Sequence, residues 1–420
     1  MVFVNESIMV FSMIAAIMAL GFIGDALSRK ILLPSVLMLM ALGIIFGPVL
    51  NLFPRDLLLG AVPYVAPLTL AFVSFEAGLN SDLPTLLGQG KRAVLLAVLG
   101  FILSALSVGV LLHYALGIRW AYSFLMSSAW SGVNITVVST IFKYVKVKKE
   151  TRSAFTLVSL LDDPIVLVST LTLLNYILLG QTNAQDIALR LSSNVAMSLL
   201  LGVGLGLLWL YLLYFFRKEE YTYTFTLAAL FVVYITTEAL GGTGVIAVFV
   251  FALFIGNYRS VIGTLKLRIP RGELSKLKEL IQKFHTELAF MVRSFFFTFV
   301  GLIYAFTGVP ELLIALGCVA LLHVMRYVTV RIVTYKSALS SDIPVIGFII
   351  GKGAAAAAMS TLPLAFNFPY AQTFTSIALS VILFSNITSI VLPFAGAKLS
   401  KRPRISNGEP TELAEVTFSK

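Results

Sequence analysis

The stretch 155-FTLVSLLDDPIVLVSTLTLLNY-176 is apolar enough to cross a membrane, yet two adjacent aspartates, Asp162 and Asp163, lie at its centre. An ionised side chain at that depth costs several kcal/mol unless it is paired or hydrated, so both acids are candidates for a functional role. Successive residues of a helix point about 100° apart. We therefore expect one carboxylate to face a water-filled cavity and the other to face a neighbouring helix.

The whole chain has the composition of a helical membrane protein. Of its 420 residues, 58% are apolar and 12% are charged, whereas soluble domains average about 25% charged residues. The single cysteine, Cys318, excludes an intrachain disulfide. Apolar runs long enough to span a bilayer recur along the sequence, which predicts an all-α polytopic membrane protein.

The apolar pattern predicts about thirteen transmembrane helices. The predicted spans are roughly 8–25, 31–51, 62–79, 93–113, 120–142, 153–179, 187–216, 222–238, 243–257, 285–306, 310–330, 343–366 and 371–396. Residues 1–396 then form one membrane domain, and 397–420 form a short cytoplasmic tail that we expect to be disordered.

The basic residues predict the orientation of these spans. Nearly all of the 31 lysines and arginines fall in loops on one side, and the opposite loops hold only Arg55, Arg119 and Arg190. Basic loops mark the cytoplasmic face, so we predict a plasma-membrane protein with the N-terminus outside and the C-terminus in the cytoplasm. The formal charge of +11 then reflects loop asymmetry and not a nucleic-acid partner.

The longest predicted loop, 258–284, is basic. Its second half, 271-RGELSKLKELIQKF-284, predicts a basic amphipathic helix after a proline. Such a helix serves either as a solvated or headgroup-bound connector or as a regulatory sensor.

Each half of the chain contains one interrupted span at a matching place. The fifth span is broken at 131-SGVN-134 and the twelfth at 351-GKGAAAAAMS-360. This pattern predicts inverted six-helix repeats with two interrupted helices that cross. Broken helices expose backbone groups, so we expect Lys352 to offset the carbonyl ends and Asn134 to hydrogen-bond the freed amides or carbonyls.

Three further ionisable residues lie deep within the predicted spans. Arg326 is a permanent cation that either compensates a carboxylate or reaches toward the cytoplasm, and His323 precedes it by one turn. Glu76 is either a structural anchor or an acid at the mouth of a cavity. Four charged residues near span ends are expected simply to reach headgroups or water, namely Asp25, Glu238, Glu287 and Arg293.

The order of these motifs resembles a known family. The segment 127-SSAWSGVNITVVSTIFK-143, followed by 158-VSLLDDPIVLV-168, resembles the monovalent cation/proton antiporters, or sodium/proton exchangers, of prokaryotic type. The segments 294-SFFFTFVGL-302 and 351-GKGAAAAA-358 resemble later parts of that family's pattern, and 73-VSFEAGLN-80 an earlier one. No single motif is specific, but together they cover nearly the whole chain in order.

The resemblance implies roles for particular residues. Asp163 takes the position of the aspartate that binds the cation and the proton. Ser159 takes the position of the motif's serine, which is expected to be a ligand. Asp162 takes a position that is Asn or Asp in the family, and Arg326 that of a base beside the site. A homodimer is also implied, with core helices at about 93–179 and 310–396, scaffold helices at about 8–79 and 222–306, and a linker helix at 187–216.

The sequence departs from the family pattern at three places. Val158 replaces a glutamate that pairs with the basic residue, and Lys352 replaces an arginine. A Thr-Asp-Pro triplet has become Val133, Asn134 and Ile135. We therefore predict that Asp162 pairs with Arg326, which leaves Asp163 alone to carry ions in a 1:1 electroneutral exchange.

These residues predict a secondary antiporter that exchanges a monovalent cation for H⁺ by alternating access. Na⁺ is favoured over Li⁺ or K⁺, and neither a cofactor nor an enzymatic activity is expected. The candidate residues for binding the cation or the proton are Asp163, Asp162, Ser159, Thr136 and Asn134, with a carbonyl near the fifth-span break as a further ligand. A cation channel and an organic-anion/sodium symporter of related fold stay as alternatives. An intramembrane aspartyl protease is disfavoured, because its two aspartates must face one another from different helices.

Overall fold

The computed structural model of the protein describes residues 2–31, 34–81, 91–178, 184–215, 222–264, 271–366 and 368–399. The regular elements in these ranges are helices. Nine of the helices in this part of the chain are long and apolar enough to cross a membrane. The all-α polytopic class is therefore confirmed.

The first half of the chain forms seven helices. They are α1 (Val2–Ile31), α2 (Ser35–Ile44, prolonged by a π-helical turn Ile45–Val49), α3 (Arg55–Asn80), α4 (Lys91–Leu116), α5 (Trp120–Ala129), α6 (Ile135–Tyr144) and α7 (Lys149–Leu178). The second half continues with α8 (Ala184–Phe215), α9 (Thr222–Ala239), α10 (Gly244–Gly256), α11 (Tyr258–Thr264), α12 (Arg271–Ile303), α13 (Val309–Val333), a 3₁₀ turn (Ala338–Asp342), α14 (Ile343–Ile346), α15 (Ala354–Ala365) and α16 (Ala371–Leu399).

Each predicted span overlaps one or two of these helices, but four of them are not long single helices. The spans predicted at 31–51 and 243–257 are the short apolar helices α2 and α10. The spans predicted at 120–142 and 343–366 are interrupted, as α5 with α6 and as α14 with α15. The number of thirteen crossings stays a prediction.

The amphipathic segment 271–284 is helical, as predicted, but it is not part of a loop that ends before the next span. It is the first part of α12, which continues unbroken to Ile303. Lys278 Nζ donates a hydrogen bond of 2.7 Å to the carbonyl oxygen of Gly256 at the end of α10, where a cation is favoured by the helix dipole. Gln282 Nε2 donates to Asn80 Oδ1 at the end of α3 at 2.9 Å. The segment therefore binds two helix ends of the protein itself.

The predicted C-terminal tail begins inside a helix. The described part of α16 ends at Leu399, two residues past the predicted boundary at 397. Residues 400–420 lie outside the described residues.

Helices α2 and α12 touch backbone to backbone. A Cβ added at Gly43 would lie 2.2 Å from the carbonyl oxygen of Thr298, and one at Gly301 would lie 2.4 Å from that of Met40. Only glycine allows so close an approach. The aromatic rings of the 294–302 segment, such as Phe296 and Phe299, are buried in the main apolar core. The segment 294–302, which resembles a later part of the family's pattern, is thus a packing element.

The interrupted helices lie between two groups of long helices. On one side of them, α4 packs against α5, α7 and α13, and α13 packs against α16. On the opposite side α15 packs against α3. Both breaks are therefore enclosed by protein, which is the condition under which irregular backbone is tolerated at membrane depth.

Candidate functional site

The two interrupted helices cross at their breaks. The first break separates Ala129 from Ile135 and the second separates Ile346 from Ala354. The amide of Asn134 donates a hydrogen bond of 2.9 Å to the carbonyl oxygen of Gly351. The expected crossing of two interrupted helices is therefore present, and it is joined through the backbone.

The second glycine beside Lys352 is required by this crossing. A Cβ added at Gly353 would lie 1.9 Å from Nδ2 of Asn134 and 2.9 Å from its Cβ. Any larger residue at position 353 would separate the two breaks.

Lys352 and Asp162 each satisfy a backbone group at the first break. Lys352 is 1% exposed, and its Nζ donates a 2.7 Å hydrogen bond to the carbonyl oxygen of Gly132. Asp162 is 2% exposed, and its Oδ2 accepts a 2.9 Å hydrogen bond from the amide of Val133. An unsatisfied buried backbone group is costly. The two charged side chains therefore stabilise consecutive residues of the same broken segment.

Asp163 has different surroundings from Asp162. Its side chain is partly exposed, and within the described part of the chain its carboxylate makes no hydrogen bond or ion pair. The charges that act on it are those of Asp162, Glu76 and Arg293. The cations that act on Asp162 are Arg326 and Lys352. The adjacent acids thus face different charges, as the helical geometry led us to expect.

One of the predicted ligands lies one turn before Asp163. Ser159 is buried, and its hydroxyl donates a 2.9 Å hydrogen bond to the carbonyl oxygen of Thr156. The hydroxyl oxygen keeps its lone pairs for another partner, because its proton is already engaged. The side chain of Thr136, another predicted ligand, lies outside the described residues.

Glu76 forms an ion pair that the sequence analysis missed. Its Oε2 lies 3.1 Å from Nη1 of Arg293, and the two side chains are 16% and 28% exposed. We expected Arg293 to reach headgroups or water near a span end. That expectation is wrong, because α12 begins at Arg271 and Arg293 therefore lies well inside the helix. The unbroken helical pattern from 271 onward was the available signal.

Arg326 is not paired in the predicted way. It is 4% exposed, so it does not reach the cytoplasm, and its Nε and Nη2 have no hydrogen-bond partner. The predicted ion pair with Asp162 does not form among the described residues, because the Asp162 carboxylate turns to the amide of Val133. The guanidinium carbon instead lies 4.9 Å from the ring centroid of Phe155. A permanent cation is thus held by a π-face and by the more distant charge of Asp162.

Asn386 is a polar residue of the crossing that the sequence analysis did not single out. Its Nδ2 donates to the carbonyl oxygens of Lys352 at 3.0 Å and of Ile382 at 2.8 Å. An uncharged amide in the last span carries no cost of burying a charge, so the sequence offers no signal that marks it. A side chain of α16 therefore also binds the backbone at Lys352.

His323 lies on the same buried face of α13 as Arg326. Its Nε2 lies 2.8 Å from Oγ1 of Thr388, whose hydroxyl lies 2.8 Å from the carbonyl oxygen of Phe384. With that hydroxyl proton directed to Phe384, Nε2 is the donor. His323 therefore binds α16 as a buried core residue in this conformation.

A cavity of about 170 Å³ extends from the crossing toward α1, α2 and α12. Its polar lining residues are Asp25, Ser35, Asn134, Arg293 and Ser294, with Gly353 at the crossing. Asp25 is 8% exposed. Asp25 therefore lines a cavity inside the protein and does not extend to headgroups, and the other half of the expectation, contact with water, stays a prediction.

Comparison with known proteins identifies related sequences over most of the chain. The family model described as "Sodium/hydrogen exchanger, transmembrane" matches residues 13–396. The chain is 22% identical over 327 residues to Na(+)/H(+) antiporter 1 of Methanocaldococcus jannaschii, which covers 72% of this chain and 74% of that protein. It is 27% identical over 230 residues to the low-affinity Na(+)/H(+) antiporter NhaS1 of Synechocystis sp., which covers 54% of this chain and 42% of that protein.

Comparison with solved structures identifies the fold. The sodium proton antiporter MjNhaP1 of Methanocaldococcus jannaschii at pH 8 superimposes with a TM-score of 0.79 and 19% identity, over 94% of this chain and 99% of that one. An electron-microscopy structure of MjNhaP1 gives a TM-score of 0.68 at 20% identity, over 96% and 99% of the two chains. At these identities the likeness demonstrates a common fold and no more.

Proposed function

Because the chain belongs to the sodium/hydrogen exchanger family, it exchanges Na⁺ for H⁺ across a membrane, and we propose that the two ions compete for the carboxylate of Asp163. The observation that carries this proposal is the contrast between the adjacent acids. Asp162 is engaged by the amide of Val133, whereas Asp163 is partly exposed. A group that must bind and release ions has to be accessible and free of fixed partners.

The cation ligands in this proposal are oxygens, which hard monovalent cations prefer. They are the Asp163 carboxylate and the Ser159 hydroxyl, with the side chains of Asn134 and Thr136 and a carbonyl of the first break as further candidates. The buried hydroxyl of Ser159 supports this set, because its proton is already donated to Thr156. Li⁺ and K⁺ fit the same ligand chemistry as Na⁺.

Exchange follows from the charge of this one group. An empty, ionised Asp163 is costly to carry through the low-dielectric part of the protein, whereas a carboxylate neutralised by a cation or a proton is not. Binding of either ion to Asp163 therefore allows the protein to change between its two access states, which it does not do while Asp163 is empty and ionised. No further gate is needed to couple the two fluxes.

We propose that Asp162 stays ionised throughout the cycle. Its carboxylate accepts the Val133 amide, and both Arg326 and Lys352 act on it electrostatically. Asp163 would then be the only acid that titrates, and one Na⁺ would leave for each H⁺ that enters. Solid-supported membrane recordings on proteoliposomes test this stoichiometry, since a 1:1 exchange carries no net charge. A sustained current driven by the Na⁺ gradient would contradict it.

The moving unit in this proposal is the core, at about 93–179 and 310–396. It would move against a scaffold of about 8–79 and 222–306, joined by the linker helix at 187–216, and the scaffold would form the homodimer. The backbone contact between α2 and α12 supports a rigid scaffold. The loop charges support a plasma-membrane orientation with the N-terminus outside.

Proton flux in proteoliposomes tests the central assignment. A fluorescent pH gradient should collapse on addition of NaCl to vesicles with the wild-type protein, and LiCl and KCl added separately rank the cations. The Asp163→Asn variant should give no Na⁺-dependent signal while eluting as a folded protein. Residual coupled exchange in that variant would place the carrier group elsewhere. A channel would conduct without saturation or proton coupling, and a symporter would require an organic anion.

A further inference from the structure

The outer face of α13 carries an open groove near the end of the helix. The groove has a volume of about 450 Å³, and its lining residues are Tyr327, Val328, Arg331, Ile332 and Tyr335. Arg331 and Tyr335 are exposed, whereas Arg326 on another face of α13 is buried. The groove therefore lies on the side of α13 that is turned away from the ion site.

The groove lies at the depth of the lipid headgroups. Glu311 and Arg331 are the charged residues of the first and last turns of α13, and they are 20 residues apart in the sequence. At a rise of about 1.5 Å per residue they are separated by about 30 Å, which is the thickness of the hydrocarbon core of a bilayer. Arg331 therefore lies where the hydrocarbon ends, and Val328 and the exposed Val324 lie within the adjoining hydrocarbon.

The guanidinium group of Arg331 is held in place at the groove. Its Nη1 donates a 3.2 Å hydrogen bond to the hydroxyl oxygen of Tyr327, and the Tyr327 ring centroid lies 5.6 Å from that of Phe348. A packed tyrosine thus orients one nitrogen of Arg331, and the guanidinium has further N–H donors in the same plane. Planar donors of this kind bind phosphate through two parallel hydrogen bonds.

A second cation lies at the same end of α13. The chain turns at Lys336, whose φ of 52° lies in the left-handed region that residues other than glycine rarely adopt. Its Nζ lies 5.3 Å from the ring centroid of Tyr335, which lines the groove. Within the described part of the chain, neither Lys336 nor Arg331 forms an ion pair. Two positive charges therefore lie beside an apolar wall.

This combination fits an amphipathic anion. A soluble phosphate would bind the two cations but not the apolar wall, and a zwitterionic lipid would bring an ammonium group of its own near them. We propose that the groove binds an anionic phospholipid, with its phosphate on Arg331 and Lys336 and an acyl chain along Val328. The predicted orientation places this end of α13 in the cytoplasmic leaflet, where anionic lipids attract basic residues.

Native mass spectrometry of the detergent-purified protein with equal amounts of phosphatidylglycerol and phosphatidylcholine tests the site. The wild type should retain phosphatidylglycerol in preference. Each basic residue near an anionic lipid strengthens the attraction about fivefold, so Arg331→Gln or Lys336→Gln should lower the preference about fivefold and the double variant about 25-fold. The matched control is the double variant Lys91→Gln and Arg92→Gln, which removes two exposed basic residues at the start of α4 and should leave the preference unchanged.

Thermal unfolding distinguishes a lipid from a free phosphate. Phosphatidylglycerol should raise the unfolding temperature of the wild type more than phosphatidylcholine does, because a ligand of the native state stabilises it. Glycerol 3-phosphate, a phosphate ester without acyl chains, should give no increase at the same concentration. Ile332→Asn makes the exposed apolar wall polar without changing its charge, and it should reduce the effect of the lipid.

Three outcomes would overturn the inference. An unchanged preference in the Arg331→Gln and Lys336→Gln double variant would mean that neither cation binds the lipid phosphate. An equal loss in the α4 control would mean that diffuse surface charge explains the preference. A thermal shift with glycerol 3-phosphate as large as that with phosphatidylglycerol would identify a phosphate site and not a lipid site. Because none of these measurements involves transport, their results do not depend on whether Asp163 carries ions.

Discussion

The ammonium group of Lys352 donates a 2.7 Å hydrogen bond to the carbonyl oxygen of Gly132, and so joins the two broken helices through one side chain. Lys352 is also one of two cations that act on Asp162. The crossing therefore depends on a buried charge that has both a backbone partner and a carboxylate nearby.

Lys352→Met should be strongly destabilising. The variant leaves the buried carbonyl oxygen of Gly132 without its donor, which costs about 1–3 kcal/mol, and it also removes a cation that acts on Asp162. Thermal unfolding in detergent, followed by intrinsic fluorescence, measures the loss. Lys352→Arg keeps the charge and should retain more stability, and equal loss in both variants would mean that size and not charge holds the crossing.

Asp162 and Asp163 should differ in their effect on stability. Asp162→Ala leaves the buried amide of Val133 without an acceptor, which should lower the free energy of unfolding by about 1–3 kcal/mol. Asp163→Ala breaks no hydrogen bond within the described part of the chain, so its unfolding temperature should stay close to that of the wild type. The same thermal assay compares them, and a reversed order would show that Asp163 is the structural acid.

Phe155 should stabilise the protein partly through Arg326. The guanidinium carbon lies 4.9 Å from the ring centroid, and a desolvated cation–π contact contributes about 2 kcal/mol. We expect Phe155→Leu to cost more in the wild type than in the Arg326→Met variant. The difference between the two backgrounds is the coupling energy, and it comes from thermal or chemical unfolding of the four proteins. Equal costs would mean that the ring acts through packing alone.

Gly353→Ala should prevent the crossing from closing. The new Cβ would lie 1.9 Å from Nδ2 of Asn134 and 2.9 Å from its Cβ, and rotation of the Asn134 side chain relieves the first contact but not the second. We expect a large loss of monodisperse protein in size-exclusion chromatography. Gly100→Ala is the matched control, because a Cβ there would meet nothing closer than 3.5 Å. Normal recovery of Gly353→Ala would contradict the close approach of the two breaks.

Periodicity and composition predict the fold of this chain well, because a bilayer requires apolar helices of a certain length. The same pattern predicts where the helices break, since Gly132, Gly351 and Gly353 interrupt otherwise apolar spans. It also predicts that Asp162 and Asp163 face different neighbours, because that follows from the helical repeat alone.

The partners of the charged residues are harder to predict, because pairing depends on the relative depth of helices that are distant in sequence. The sequence places Arg293 near a span end, because the apolar run that predicts this span starts at about 285 whereas α12 begins at Arg271. The sequence pairs Arg326 with Asp162 because Val158 stands where the resembled family has the glutamate that pairs with this base. In the structure the Asp162 carboxylate instead accepts a hydrogen bond from the backbone amide of Val133. No sequence pattern specifies which of the two partners the carboxylate binds.

The contact between Gly43 and Gly301 has a consequence for measuring motion in this protein. Helices that touch through backbone atoms cannot slide by a turn without driving a side chain into the facing backbone. The α2–α12 pair is therefore a natural reference frame for distance measurements. Two spectroscopic labels, one on each helix of this pair, should keep a constant separation in every ionic condition. A change in the distance from this pair to a label on a third helix then reports displacement of that third helix alone.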